Sequence, residues 1–228
     1  CIRDRSGIST FRDAGGLWDK YPVEQVATPE GYARNPELVI NFYNERRKQL
    51  LDVVPNAGHL GVADLERDFN VTVVTQNVDN LHERAGSTHV IHLHGELTKV
   101  CSSRDPYNPH FVKELAPEEY EVKLGDKAGD GTQLRPFIVW FGESVPEIET
   151  AIRYVEQADI FVIIGTSLNV YPAAGLLNYV PRAAEVYLID PKPVDTHVMR
   201  PIHVIQKGAS EGVKELKALL TVTQPPLP

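Results

Sequence analysis

The sequence predicts an α/β fold built on a doubly wound parallel sheet, Rossmann-like, with a small irregular lobe. Three observations predict it. Short apolar, β-branched runs at residues 71–74, 89–93, Ile160–Ile164 and Glu185–Ile189 have the length of strands buried on both faces. The stretches between them carry helical spacing and helix start signals. Each run stops abruptly in polar residues, as parallel strands do when they deliver groups to a site at their C-terminal edge.

The elements follow in order. Asn35-Pro36 starts a helix, with Asn as N-cap and Pro in the first turn. It runs to about Leu51, with Leu38, Val39, Phe42 and Tyr43 toward an apolar surface and Glu45, Arg47, Lys48 and Gln49 toward solvent. Asn56 caps a second helix reaching Phe69, which hands over to the strand at 71–74, and a second strand follows at 89–93. From Ser102 to Arg135, prolines at 106, 109 and 117 and glycines at 125, 129 and 131 break any period, so this segment reads as an irregular insertion. Order returns with the apolar stretch Pro136 to Glu143, a helix at 146–157, the strand Ile160–Ile164, a helix from about Pro172, and the strand Glu185–Ile189. A short strand at 203–206 and a helix near 213–220 complete the pattern. Residues 6–101 and 136–221 are thus expected to form the nucleotide-binding domain and 102–135 the lobe, with 222–228 a disordered tail. Cys1 to Arg5 match what a transposon-type sequencing adapter would encode and are expected to be non-native.

Composition narrows the class. Acidic residues outnumber basic ones 31 to 23, for a net charge of -8, which argues against general affinity for nucleic acid or anionic membrane. The longest unbroken apolar run, Ile160 to Ile164, is too short to span a bilayer, and no signal peptide is expected. With cysteines only at 1 and 101 there is no disulfide framework, and a cytoplasmic protein is expected.

Candidate functional residues sit at the strand ends. The first ends in Gln76, Asn77 and Asp79, the second in His94 beside Gly95, the third in Gly165, Thr166 and Ser167, the fourth in Asp190. Asn77 and Asp79 could equally cap a following helix. What favours a site is convergence: strand C-termini of such a sheet share one edge, where small hydroxyl-bearing residues suit phosphate or ribose and a carboxylate suits ribose hydroxyls. Near the start, a Gly/Ser loop carries Phe11 and Arg12, the latter a fixed cation for phosphate or carboxylate. Ala209, in the loop before the last helix, joins the candidate cofactor contacts.

Seven short motifs, Gly7 to Arg12, Pro55 to His59, Thr75 to Asp79, Leu93 to Gly95, Val139 to Glu143, Gly165 to Ser167 and Val170 to Ala173, resemble in order the signatures of the sirtuins, NAD-dependent protein-lysine deacylases. The resemblance implies NAD as cofactor and acylated protein lysines as substrates. The acyl oxygen attacks the nicotinamide ribose, and free lysine, nicotinamide and O-acyl-ADP-ribose result. It implies His94 as general base, Asn77 holding the ribose, and Asp79 accepting from the nicotinamide carboxamide. Gln76, Thr166 and Ser167 would line the cleft, while Val139, Phe141, Gly142, Glu143, Val170 and Tyr171 would flank the substrate peptide as an added strand. Tyr43 and Arg46 are similar to the Tyr-x-x-Arg pair of the branch that removes succinyl, malonyl and glutaryl groups, with acetyl weaker. An Arg fork and a hydroxyl suit a distal carboxylate that acetyl lacks.

Three departures qualify the resemblance. The family usually binds a structural zinc with four cysteines after the catalytic histidine, whereas only Cys101 stands there, so no zinc is expected. The family's first strand and Gly-Ala-Gly phosphate loop are expected before Ser6, so the sequence is read as N-terminally truncated, with weakened NAD binding. Leu188 stands where the family often has Asn, which loosens the assignment of Asp190. Two other readings are a non-catalytic NAD or ADP-ribose binder and a mono-ADP-ribosyltransferase. Protein targets and oligomeric state are not legible.

Overall fold

The computed structural model describes residues 21–166, 171–193 and 200–223. The expected non-native start, the candidates Phe11, Arg12, Ser167 and Val170, and the tail at 224–228 lie outside the described residues.

Four helices open the described chain: α1 (Val23–Val26), α2 (Pro29–Arg34), α3 (Pro36–Leu51) and α4 (Ala57–Asp64). Helix α3 begins as the sequence predicts, with Asn35 Oδ1 accepting from the Leu38 amide at 3.1 Å and Pro36 in the first turn. Asn56 caps α4, accepting from the Gly58 and His59 amides. That helix tightens into a 3-10 turn at Leu65–Arg67 rather than reaching Phe69. The turn lays Leu65 into the core and frees the chain to enter β1.

The parallel strands follow, though shorter than predicted at the first two positions. Strand β1 (Val73–Thr75) pairs in parallel with β2 (Val90–His92), in the register Thr75 to His92, across the short helix α5 (Leu81–Ala85). Strands β3 (Gly95–Ser102), β4 (Lys113–Glu114) and β5 (Leu134–Ile138) then form an antiparallel sheet in the order β4-β3-β5. After α6 (Ile148–Val155), strands β6 (Ile160–Ile164), β7 (Glu185–Ile189) and β8 (His203–Ile205) form a second parallel ladder in that order. Helix α7 (Ala209–Thr223) closes the described chain. Among the described residues no helix is long and apolar enough to cross a membrane.

Helices cover both faces of the parallel strands, the doubly wound arrangement the sequence predicts. On one face Ile91, Leu93, Ile163, Val186 and Leu188 pack with Ala151 and Val155 of α6 and with Ala173, Leu176 and Leu177. On the other, Val73, Tyr187, Ile189 and Ile205 pack with Val62 of α4 and Val213, Leu216 and Leu220 of α7. These clusters join the two parallel ladders into one α/β body. Gly212 lets α7 lie close to β7: a Cβ there would stand 2.2 Å from Ile189 Cγ2.

Three expectations need correction. The helix expected from Pro172 is a 3-10 helix, Ala173–Tyr179. With Gly175 inside it and Pro181 just beyond, the segment makes tighter turns that stack Ala173 and Leu176 on the sheet. The segment expected to be irregular is organised on antiparallel strands, because β3 starts at Gly95, runs into it, and returns through β5. Its loops are tied by Ser102, whose hydroxyl donates to Asp130 at 2.6 Å and accepts from the Arg104 and Asp105 amides.

Arg47, expected in solvent, is 3% exposed. Its guanidinium donates to the Tyr120 carbonyl at 2.7 Å and to Asn44 Oδ1 at 2.7 Å. Asn44 in turn exchanges hydrogen bonds with both backbone groups of Val122. The lobe lies over this side of α3, so the polar face meets backbone there instead of water. Asn44→Ala strands the Val122 amide and carbonyl and one Arg47 donor; it is expected to cost roughly 2–4 kcal/mol in urea denaturation.

Candidate active site

The site begins where β1 leaves its ladder. The last backbone bond is Leu93 N–H to the Thr75 carbonyl at 2.9 Å. The next two carbonyls are met by side chains: His94 Nδ1 lies 3.2 Å from Gln76 O, and His92 Nδ1 lies 3.2 Å from Asn77 O. A carbonyl only accepts, so Nδ1–H of His94 donates and the neutral ring keeps its lone pair on Nε2. Burial lowers the pKa of His94, against the opposing pull of the Gln76 carbonyl, so the free-base form persists to lower pH than in water.

Gln76 also reaches across the sheet. Its Nε2 lies 3.4 Å from Thr166 Oγ1, bringing the tips of β1 and β6 together. The β6 tip turns at Gly165, whose φ of 59° is left-handed and whose amide donates to the Ile189 carbonyl. Asp79 is 2% exposed and accepts from the Leu81 amide at 3.3 Å, so it also supports the first turn of α5. Asp79 precedes the N-cap, Asn80, which makes no side-chain cap bond of its own. Asn77 is half-buried beside it, its amide donating to Thr75 Oγ1. Asp190 stands at the end of β7, half-buried and accepting from the Lys192 amide. Ala209 opens α7 and packs against the core cluster on that face.

Immediately after the imidazole, Gly95 takes φ 81°, and a Cβ there would sit 2.2 Å from the Phe137 carbonyl. That close approach lets Val139 N–H donate to the His94 carbonyl at 3.0 Å, bringing the stretch 139–143 beside the histidine. In that stretch Val139 is half-buried, Phe141 is 50% exposed, and Gly142 has φ 91°. Tyr171 is 75% exposed. The Glu143 side chain turns inward. Its carboxylate accepts from both Arg135 terminal nitrogens, from the Trp140 amide and from Tyr107, so it folds the loop from within.

Tyr43 and Arg46 are buried, 2% and 4% exposed. The Tyr43 hydroxyl accepts from Trp140 Nε1 at 3.1 Å, and burial pushes the phenol up to about 12. Trp140 therefore joins Tyr43 on α3 to the stretch beside His94.

Sequence reasoning missed His92, Trp140 and Arg135 as parts of this architecture. His92 ends β2 and His94 follows two residues on, in the turn before β3, and that spacing is the available signal. Nothing in the sequence marks the Arg135 guanidinium 3.6 Å over the Trp140 ring, because the contact depends on how the lobe folds back.

The residues do not fit the structural zinc. A tetrahedral thiolate site needs four ligands, and in the lobe only Cys101 is available. Its thiol is buried, donates to the Pro136 carbonyl and is pushed up to about 12 by desolvation. Among the described residues no group of three or more His, Cys, Asp or Glu is placed to hold a metal ion. The donor set at the strand tips does fit a dinucleotide: a carboxylate and amides for a carboxamide and ribose, a hydroxyl and a left-handed glycine where phosphate or ribose would pass.

A parallel α/β body whose strand tips gather these groups defines a Rossmann-like nucleotide-binding protein. The Sir2 family model matches residues 2–172, and the chain belongs to the Sir2 family. It is 85% identical over 215 residues to an NAD-dependent protein deacylase of Bacteroides thetaiotaomicron, covering 94% of this chain and 92% of that one. An NAD-dependent protein deacylase of Helicobacter pylori is 47% identical over 94% of this chain and 91% of its own. Among solved structures, a Sir2 homologue in complex with NAD superposes with a TM-score of 0.81 at 36% identity, over 97% of this chain and 86% of that one.

The two imidazoles should titrate in opposite directions. NMR is expected to place His94 below the ordinary imidazole value of 6.5 and His92 above it, with His94→Ala and His92→Gln assigning the signals. The reverse order would show that the ring contacts are wrongly drawn.

Proposed function

We propose that this chain is an NAD-dependent protein-lysine deacylase that removes acidic acyl groups, succinyl, malonyl or glutaryl, in preference to acetyl. The observation that carries the enzyme reading is the His94–Gln76 bond, which leaves Nε2 with its lone pair on a ring tied to the turn that carries Asn77 and Asp79. A protein that only bound a dinucleotide would have no use for a half-buried imidazole whose burial keeps it unprotonated. The deacylase names of the two bacterial relatives support the same reading.

Each residue then has a task. His94 Nε2 takes the proton from a ribose hydroxyl. Asn77 holds that ribose, and Asp79 accepts from the nicotinamide carboxamide. Gln76 and Thr166 line the cleft, with Gly165, Asp190 and Ala209 toward the adenosine end, and Phe11, Arg12 and Ser167 complete the cofactor contacts. NAD supplies the ribose carbon that receives the acyl oxygen and the nicotinamide that leaves. Val139, Phe141, Gly142, Val170 and Tyr171 pair with the peptide that carries the lysine.

The acyl preference rests on Tyr43 and Arg46, side by side on α3 and both buried. A desolvated guanidinium gains more from a carboxylate than a solvated one does, and an acetyl group offers it nothing. In domain terms, 6–101 and 136–221 hold NAD and 102–135 forms the lobe, in a protein of the cytoplasm that needs no zinc.

Mass spectrometry of succinyl- and acetyl-lysine peptides incubated with NAD tests the reading. Arg46→Met is expected to slow desuccinylation roughly 10- to 100-fold while deacetylation changes much less. His94→Ala is expected to lower both by about 10³-fold. Equal effects of Arg46→Met on the two peptides would refute the preference. ADP-ribose transfer without acyl loss would make the protein a transferase instead.

A further inference from the structure

His92 has two partners and no task in the reaction as set out above. Its ring is held between Asn77 O at 3.2 Å and Glu83 Oε1 at 2.6 Å, and its side chain is 6% exposed. Asn77 lies on the turn after β1, and Glu83 on α5, the helix that the same turn leads into. One imidazole thus ties both ends of the segment that carries Asn77 and Asp79 to β2, two residues ahead of His94.

The proton count is constrained. The Asn77 carbonyl only accepts, so Nδ1 must carry hydrogen. At 2.6 Å from a carboxylate, Nε2 shares a second proton with Glu83. Such a ring holds both partners only while that second proton is present. Without it, an Nε2 lone pair would face a carboxylate, and the ring would have to turn away from one partner.

The geometry points to His92 as a positioning residue: its imidazole, bridging the Asn77 carbonyl and Glu83, fixes the turn bearing Asn77 and Asp79 against the nicotinamide end of the cleft. This rests on the site assignment proposed above. It adds a residue that touches neither NAD nor substrate and that sets affinity for NAD rather than for the peptide.

The surroundings favour the doubly protonated ring. Burial pushes the pKa of His92 down, but the hydrogen bond and charge of Glu83, the charge of Glu96 and the Asn77 carbonyl outweigh it, and the net shift is upward. The charged and titratable groups facing it are Glu83 and His82 on α5 and Glu96 on β3. Glu96 is itself paired with Lys99 at 2.7 Å, which leaves Glu83 as the controlling partner. The bridge therefore persists to higher pH than a solvated imidazole would allow, and it is lost as the pH rises through the raised value.

Initial rates of deacylation, with NAD and peptide varied separately across about pH 6 to 10, test this on His92→Gln and Glu83→Gln. His92→Gln can reach only one partner, and KM for NAD is expected to rise roughly tenfold with KM for the peptide unchanged. Glu83→Gln keeps the imidazole and removes the charge. The new amide N–H can donate to Nε2 of the neutral ring, so both contacts outlast deprotonation and the alkaline rise in KM for NAD is expected to disappear. A purely structural role would lower kcat through loss of folded enzyme and leave both KM values and the pH profile in place; that result would overturn the inference. If His92→Gln does not fold, the loss of the alkaline rise in Glu83→Gln decides alone. His94→Ala, run in parallel, separates the two claims: full turnover there would sink the site assignment whatever the other variants do.

Discussion

Two backbone carbonyls, those of Gln76 and Asn77, set the terms for the rest of the site. A buried carbonyl must be hydrogen-bonded, and within a parallel ladder a neighbouring strand amide would do it. Here the chain departs from the ladder after Thr75, and the carbonyls are met by imidazole N–H groups from the adjoining strand. Had backbone amides met them, the turn could not carry Asn77 and Asp79 away from the sheet, and His94 would have no fixed tautomer. The same bond that satisfies Gln76 O decides which nitrogen of His94 is basic. Structural need and chemical competence are met by one contact.

A second chain of contacts fixes Tyr43. Arg135 is buried, and a buried guanidinium requires compensation on several sides. It receives a two-point pair from Glu143, the carbonyls of Pro136 and Ile138, and the face of Trp140. Trp140, held beneath that cation, points its indole N–H at Tyr43. The Tyr43 hydroxyl, accepting there, keeps its own hydrogen to donate. Glu143 thus contributes at a distance, by holding the cation that holds the indole, although the sequence suggests a direct contact with substrate.

How much of this the sequence discloses follows from which interactions are local. Caps are local, so Asn35 and Asn56 mark helix starts correctly. Buried parallel strands are nearly so, since apolar runs must be covered on both faces. The strand tips then follow, and with them Gln76, Asp79, His94 and Thr166. Arg47 could not be placed this way: its partners are a backbone carbonyl at Tyr120 and a side chain one turn back, and only the folded lobe brings the first to it. The same holds for Glu143, whose partner Arg135 lies on the returning strand. Residues 173–179 were misread for another reason. Helical spacing cannot tell an α-helix from a 3-10 helix over seven residues, and the glycine within and proline beyond decide between them.

The lobe and the Tyr43–Arg46 pair share α3 more closely than the sequence suggests. Tyr43 with Arg46, and Asn44 with Arg47, are two i, i+3 pairs offset by one residue, so they form adjacent stripes about 100° apart on the helix. One stripe meets Trp140 and the other meets Tyr120, Val122 and Leu97. A helix rotates as a unit, so any shift of the lobe that pulls on Asn44 and Arg47 turns Tyr43 and Arg46 with it. The ties of the lobe, Ser102 to Asp130 and Asn44 to Val122, therefore help fix the orientation of Tyr43 and Arg46. In the lobe itself the ties are hydrogen bonds, side chain to side chain at Ser102 and side chain to backbone at Val122.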